Sequence, residues 1–145
     1  MSLTRSIIDP ILISRIGSMF VRAGKDGTTT DGTNADLGAP LAWTLRRIGE
    51  DVAAYGACTD ADLSAVSDDR IDAVLDIAEL RCLMDCQTII LAESIKAGPV
   101  SEDTKELASQ LDRLVAARLA SVSRQYSGVL VVPLVDLSVA GLMSV

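Results

Sequence analysis

The strongest hydrophobic pattern lies in the second half of the chain, where apolar positions recur at helical spacing in two long runs. The first run, about 68–96, follows Ser67, a residue type that caps helix N termini. Because this run is apolar on most of its circumference, we expect a central helix covered on more than one side. The second run, about 101–126, carries a single apolar stripe. The turn at Gly98 and Pro99 is short, so the two helices are predicted to form an antiparallel α-hairpin.

A helix and a polar loop are predicted before the hairpin. Asp9 and Pro10 are residue types that open helices, and apolar side chains follow them at helical spacing, which predicts a helix over 10–22. Residues 24–38 lack apolar periodicity and are rich in Gly, Thr, Asp and Asn, so we predict a long exposed loop. Loops of this length in a small domain are more often functional than idle.

A second helix is predicted to begin at Pro40, with an apolar face that includes Tyr55. Gly49 weakens its continuation, so the helix ends either as early as residue 48 or near Gly56. The segment 59–69 is dense in aspartate and predicts a turn region with room for one short helical turn.

The last 18 residues, 128–145, differ in character from the rest. They are rich in Val and Leu, contain Pro133, and carry one charge, Asp136. This composition favours an extended arm, which proline restricts to edge or irregular pairing. An exposed apolar arm would promote aggregation of a free monomer, so we expect it to dock on a neighbouring subunit. The predicted fold is therefore mainly α, a small antiparallel bundle over 1–127 with an extended C-terminal arm.

Composition narrows the classes of function. The chain has 145 residues, a net charge of −7 and no histidine. Its length fits one domain, and its acidity disfavours a conventional nucleic-acid-binding domain. The absence of histidine excludes Ser-His-Asp and Cys-His catalysis and histidine-ligated zinc. With only four aromatic residues as well, the composition points to a helical interaction module, and we predict no catalytic residues.

No metal or cofactor site is predicted. Cys82 and Cys86 share one helical face, yet both fall in the apolar stripe, where cysteine packs as a small hydrophobic residue. The loop residues Asp26, Asp31, Asn34 and Asp36 resemble a calcium loop only in composition, because no register satisfies the EF-hand spacing. The three cysteines also give no disulfide framework.

Charged positions on the predicted helices offer two candidate surfaces. Asp72, Asp76 and Glu79 form an acidic edge on the long helix, which is either a solvated face or an acidic wall turned to a ring lumen or a basic partner. Five arginines on the helices are interpreted as surface or intersubunit ion-pairing residues: Arg46, Arg47, Arg113, Arg118 and Arg124. The sequence also predicts no signal peptide and no membrane helix, because charges interrupt the N-terminal apolar run.

The order of elements resembles a known family. The run TDADLSAVSDDRIDAVLDIAELRCLMDCQTIILAESI, continued by GPVSEDTKELASQLDRLVAARLASVSRQYS, is similar to the head–tail connector (neck adaptor) proteins of tailed bacteriophages. Shared features are an acidic turn, an Asp-rich N-cap, a long helix rich in Ala, Leu and acidic residues, and a Ser-capped second helix. The resemblance covers about residues 59–127.

The resemblance implies a structural virion protein that is assembled in the host cytoplasm. Its copies would form a homo-oligomeric ring, typically a dodecamer, below the portal protein, and would provide the docking surface for the tail. Double-stranded DNA would pass through the channel without specific binding. On this hypothesis 24–38 contacts a subunit or the lumen, and Asp72, Asp76 and Glu79 face the channel. The arm would supply an oligomer or portal interface through Val129, Leu130, Val131, Val132, Leu134, Val135 and Leu137.

Two alternatives stay open at this point. One is a different phage neck or head-completion protein, which would share the ring but have other neighbours. The other is a cytosolic helical regulatory dimer, whose apolar tail would pack on a twofold mate. A closed dimer that is stable in isolation would favour the second alternative.

Overall fold

Helices make up most of the described chain. The computed structural model describes residues 2–96, 102–132 and 134. Within these ranges there is no strand, and the elements are α1 (Arg5–Arg22), α2 (Ala35–Arg47), α3 (Asp60–Ser64), a 3-10 turn (Asp68–Arg70), α4 (Ile71–Lys96) and α5 (Glu102–Gln125). The prediction of a mainly α, helical-bundle fold is confirmed.

Helix α4 is the centre of the bundle, because α1, α2 and α5 all pack against it. It buries side chains around most of its circumference: Ala73, Val74, Leu75, Ile77, Ala78, Leu80, Cys82, Leu83, Cys86 and Ile90. A helix that is apolar on nearly every side is stable in water only when neighbours cover it. The expected central position of this helix is confirmed.

Helices α4 and α5 run antiparallel. In the contacts between them, residue numbers increase along α4 while they decrease along α5 and the residue after it. The pairs are Asp76 with Tyr126, which directly follows α5, Glu79 with Arg118, and Gln87 with Asp112. The predicted bounds, 68–96 and 101–126, agree with the helices once the 3-10 turn after Ser67 is counted with α4. The predicted turn at Gly98 and Pro99 lies outside the described residues.

Helix α1 begins at Arg5, five residues before the predicted start at Pro10, so that expected start is wrong. Pro10 lies inside the helix, where it lacks the N–H for one backbone hydrogen bond. The helix nevertheless includes the residues before Pro10, because Ile8 and Asp9 are fully buried in the bundle. Burial of the first turns therefore outweighs the local tendency of Asp-Pro to start a helix.

Arg5 joins three segments of the chain through a buried side chain. Its Nε and Nη2 donate to the carboxylate of Asp9 at 2.8 and 3.0 Å. Nη1 donates to the carbonyl of Cys58 at 2.9 Å, and Nη2 also donates to the carbonyl of Asn34 at 2.6 Å. The Arg5 backbone N–H donates to Asp60 at 2.7 Å. One guanidinium thus fixes α1 against the end of the α1–α2 loop and the segment before α3.

Helix α2 begins at Ala35, with Asn34 as its N-cap, rather than at the predicted Pro40. It ends at Arg47 and is followed by Gly49 at φ +88°, so the earlier of the two expected ends is confirmed. Tyr55 is consequently not on a helix and is 81% exposed. Helix α3 is the predicted short helical turn, held by a capping box.

The loop between α1 and α2 is shorter than predicted for 24–38, because α2 begins at Ala35, and it is less exposed than predicted. Asn34 is buried, and its side-chain amide donates to the carbonyls of Asp26 and Thr29 at 2.9 and 3.1 Å. Asp36 accepts from the Asp26 N–H at 2.7 Å. Hydrogen bonds from Thr29 and Thr28 lower the pKa of Asp26 to about 2. These polar residues, which sequence composition associates with solvent or calcium, hold the shape of the loop.

The start of the predicted C-terminal arm lies on its own bundle. The backbone N–H groups of Val131 and Val132 donate to the carbonyl of Arg47 at 2.9 and 3.3 Å. Leu134 belongs to the buried core, and Val129 and Leu130 pack partly against it. The sequence leaves open whether the arm packs on its own chain or on a partner; Val129, Leu130 and Leu134 pack on the chain's own core, whereas the side chains of Val131 and Val132 are exposed. Val135 and Leu137 lie outside the described residues.

Candidate functional site

The structure brings charged side chains together in two places. We call the first the ion network; it contains Arg15, Asp76, Glu79, Arg118 and Tyr126. The second is the arginine–aromatic surface, which contains Trp43, Arg46, Arg47, Tyr55 and Arg81.

The ion network joins α1, α4 and α5 around the buried carboxylate of Glu79, which is 6% exposed. Arg15 Nη1 lies 3.2 Å from Glu79 Oε2, and Arg118 Nη2 lies 3.2 Å from Glu79 Oε1. Arg15 Nη1 also lies 3.0 Å from Asp76 Oδ1, and the Tyr126 hydroxyl donates to the other oxygen of Asp76. Two solvent-exposed arginines thereby balance two carboxylates, so the network braces the three helices against one another.

The predicted acidic edge does not form one solvated face. Asp72 is exposed and Asp76 is half-buried, whereas Glu79 is buried between arginines of two other helices. The three residues do share one side of α4, as their spacing predicts. That side is covered by Arg15 and Arg118, which only the packing of α1 and α5 places there.

The pH dependence of stability should report the Tyr126 contact. Burial, with the hydrogen bond to Asp76 and the charge of that carboxylate, raises the pKa of Tyr126 to about 12. The folded state therefore keeps the phenol proton above the ordinary pKa of about 10, where the unfolded state loses it. This stabilisation is complete below pH 10 and is lost as the pH rises towards 12.

We expect Tyr126→Phe to lower the free energy of unfolding by about 1 kcal/mol at pH 8. We also expect the wild type to lose more stability than the variant between pH 9 and pH 11, measured by urea denaturation followed by circular dichroism. Parallel pH profiles for the two proteins would contradict the raised pKa.

The cysteines are part of the core. All three are buried as free thiols. Burial raises the pKa of Cys58 to about 12 and that of Cys86 to about 11, and it also raises the pKa of Cys82. Neutral buried thiols fit the packing role predicted for Cys82 and Cys86. Within 2–96, 102–132 and 134, no group of three or more Cys, Asp or Glu side chains is placed to hold a metal ion.

The arginine–aromatic surface is built on α2, α4 and the segment after α2. The guanidinium carbons of Arg47 and Arg81 lie 4.5 and 5.0 Å from the centre of the Trp43 ring. That of Arg46 lies 4.4 Å from the centre of the Tyr55 ring. Burial lowers the pKa of Arg47, and the charges of Arg46 and Arg81 lower it further. Three positive charges are therefore held close together by aromatic rings.

Arg46 and Arg47 make no ion pair with any residue that the structure describes, so their pairing across a subunit contact stays a prediction. Arg46 Nη1 and Arg47 Nε are buried and have no hydrogen-bond acceptor among the described residues. Arg81 is the member with a carboxylate partner, Asp85, at 3.2 Å. Sequence reasoning missed this surface because Arg81 comes from a different helix; the four-residue spacing of Trp43 and Arg47 was the one local signal.

The described structure defines a helical bundle with an ion network around the buried Glu79 and a separate, partly exposed arginine–aromatic surface. No protein-family model, curated protein or solved structure matches the chain. Among the helices of the described ranges, none combines the length and the apolar character that crossing a bilayer requires.

Proposed function

We propose that this chain is a head–tail adaptor of a tailed bacteriophage, a structural and non-catalytic virion protein. Its copies, twelve in the proposed ring, sit below the portal protein, continue the DNA channel and provide the docking surface for the tail. The alternatives of another neck or head-completion protein and of a regulatory dimer are separated by the experiment below.

The observation that carries the proposal is the long antiparallel hairpin of α4 and α5, braced by shorter helices on α4. This is the arrangement that the resemblance over residues 59–127 implies. A helix of 26 residues is about 39 Å long, so α4 gives each subunit a long axis on which the other helices pack. The ion network supports the proposal because it fixes α1, α4 and α5 relative to one another.

The charge of the chain fits passage of DNA without specific binding. The net charge is −7, so most faces of a ring would repel a phosphate backbone. Asp76 and Glu79 are already balanced by arginines, so the repulsion comes from other exposed carboxylates. Asp72 is the one residue of the predicted trio that stays open to a channel or to a neighbouring subunit.

Co-expression with the portal protein of the same phage genome tests the proposal. We expect the chain to copurify with the portal and to add a twelvefold ring to it in electron micrographs. Val131→Asp, at a position that is 66% exposed on the C-terminal segment, should weaken this binding. Val21→Asp, at a position that is 57% exposed on α1, is the matched control. A closed dimer that does not bind the portal would favour the regulatory alternative.

A further inference from the structure

The arginine–aromatic surface has the composition of a protein interface. Tyr, Trp and Arg are the residues most enriched at binding hot spots. Its own Tyr55 is 81% exposed, and two further exposed apolar side chains lie beside it, Val131 at 66% and Val132 at 40%. Val131 and Val132 are tied to it because both donate to the carbonyl of Arg47. Apolar area and positive charge are therefore concentrated on one side of an otherwise acidic chain.

The charge of this surface calls for carboxylates. Arg46 and Arg47 are held by stacking on Tyr55 and Trp43 instead of by acidic side chains of the described ranges. Stacking orients a guanidinium and leaves N–H groups at its edge for a planar carboxylate, which it binds in a bidentate manner. A nucleotide base would bind this surface by stacking on the aromatic rings, but guanidinium groups already stack there. A carboxylate partner therefore fits better than a nucleotide base.

The same chain presents such carboxylates elsewhere. Asp69, in the 3-10 turn, and Asp72, in the first turn of α4, are exposed and make no ion pair with a described residue. On an α-helix, nine residues correspond to a rotation of about 180°, so Asp72 and Arg81 point to opposite sides of α4. A binding surface and the surface it binds, on opposite sides of one subunit, give a head-to-tail contact between copies. Repetition of this contact closes a ring when the rotation between neighbouring subunits allows it.

We propose that the arginine–aromatic surface of one copy binds Asp69 and Asp72 of a second copy. This deepens the proposed function, on which it rests for the ring, by naming the contact between subunits. It assigns Asp72 to the interface instead of the channel. Tyr55, which is 81% exposed, supplies apolar area around the ion pairs.

Complementary charge reversal tests the contact in the full-length chain. One variant carries Arg46→Glu and Arg47→Glu, and the other carries Asp69→Arg and Asp72→Arg. Each variant alone places like charges in the contact, so its self-association, measured by sedimentation velocity at low salt, should weaken by about tenfold or more. An equal mixture should regain association, because each variant meets an opposite charge in the other. Arg113→Glu with Arg124→Glu, on the outer side of α5, is the matched control and should associate like the wild type.

Several results would overturn the proposal. If both variants associate like the wild type, as they would if residues 135–145 of the same chain covered the surface, the contact is wrong. Asp69 and Asp72 are exposed, so their substitution leaves the core unchanged. If Asp69→Arg with Asp72→Arg weakens association and the mixture does not regain it, the pairing is wrong. If reversal at Arg46 and Arg47 abolishes binding to a DNA duplex and leaves self-association intact, the surface is a nucleic-acid site. A wild-type chain that stays monomeric also overturns the contact, whereas the portal experiment still tests the adaptor function separately.

Discussion

Asp9→Asn is expected to lower the free energy of unfolding by about 3–5 kcal/mol, the usual cost of breaking a buried ion pair by removing one partner. Asp9 is fully buried and its carboxylate accepts two hydrogen bonds from Arg5. The variant would leave the guanidinium buried without its counter-charge. Because a domain of this size is stable by about 5–15 kcal/mol, the loss should be large in urea denaturation followed by circular dichroism.

Asp51→Asn is the matched control for this experiment. Asp51 is exposed, and the same chemical change there should alter the free energy of unfolding by less than about 0.5 kcal/mol. An equally small effect at Asp9 would mean that the carbonyls of Cys58 and Asn34 suffice to hold Arg5. Asp9 would then contribute little as a counter-ion.

Gly27→Ala should have the second large effect, a loss of about 3 kcal/mol in the free energy of unfolding. A Cβ at Gly27 would lie 2.1 Å from the carbonyl oxygen of Gly17 and 2.9 Å from its carbonyl carbon. Both atoms belong to the backbone of α1, so neither can move aside as a flexible side chain would. The loop and α1 must separate to accept the methyl group, and thermal unfolding would show this as a lower Tm.

Two other glycines separate the effect of space from that of backbone conformation. Gly56 has no atom within 4 Å of an added Cβ, and Gly56→Ala should be close to neutral. Gly24 also has open space, yet its φ of +80° is unfavourable for a side chain, so Gly24→Ala should cost about 1 kcal/mol. If Gly27→Ala costs no more than Gly24→Ala, the close contact with Gly17 does not control stability.

Two features of the loop between α1 and α2 bear on its predicted role. The buried Asn34 and the Gly17–Gly27 contact fix its inner side, and Thr28, Thr30 and Asp31 stay exposed on its outer side. A fixed loop loses less conformational entropy when a partner binds it than a mobile one does. Its assignment to a subunit contact or to the lumen stays a prediction.

The sequence by itself determined the fold class, the long hairpin and the central place of α4. These follow from the spacing of apolar residues, because a buried helix face requires apolar side chains at intervals that match the repeat of about 3.6 residues per turn. It also predicted the short α3 and, as one of two possible ends, the end of α2 just before Gly49, since glycine and capping residues act within a few positions of themselves.

Only the tertiary structure decided where α1 and α2 begin, which side of α4 is solvated and which arginines meet. Arg5 extends α1 past Pro10 because its partners include Cys58 and Asn34, far along the chain. Glu79 is buried with its charge balanced because α1 and α5 each place an arginine beside it. The Trp43 ring contacts guanidinium groups from both α2 and α4. Such contacts join residues that are distant in sequence, so the local spacing of residue types cannot predict them.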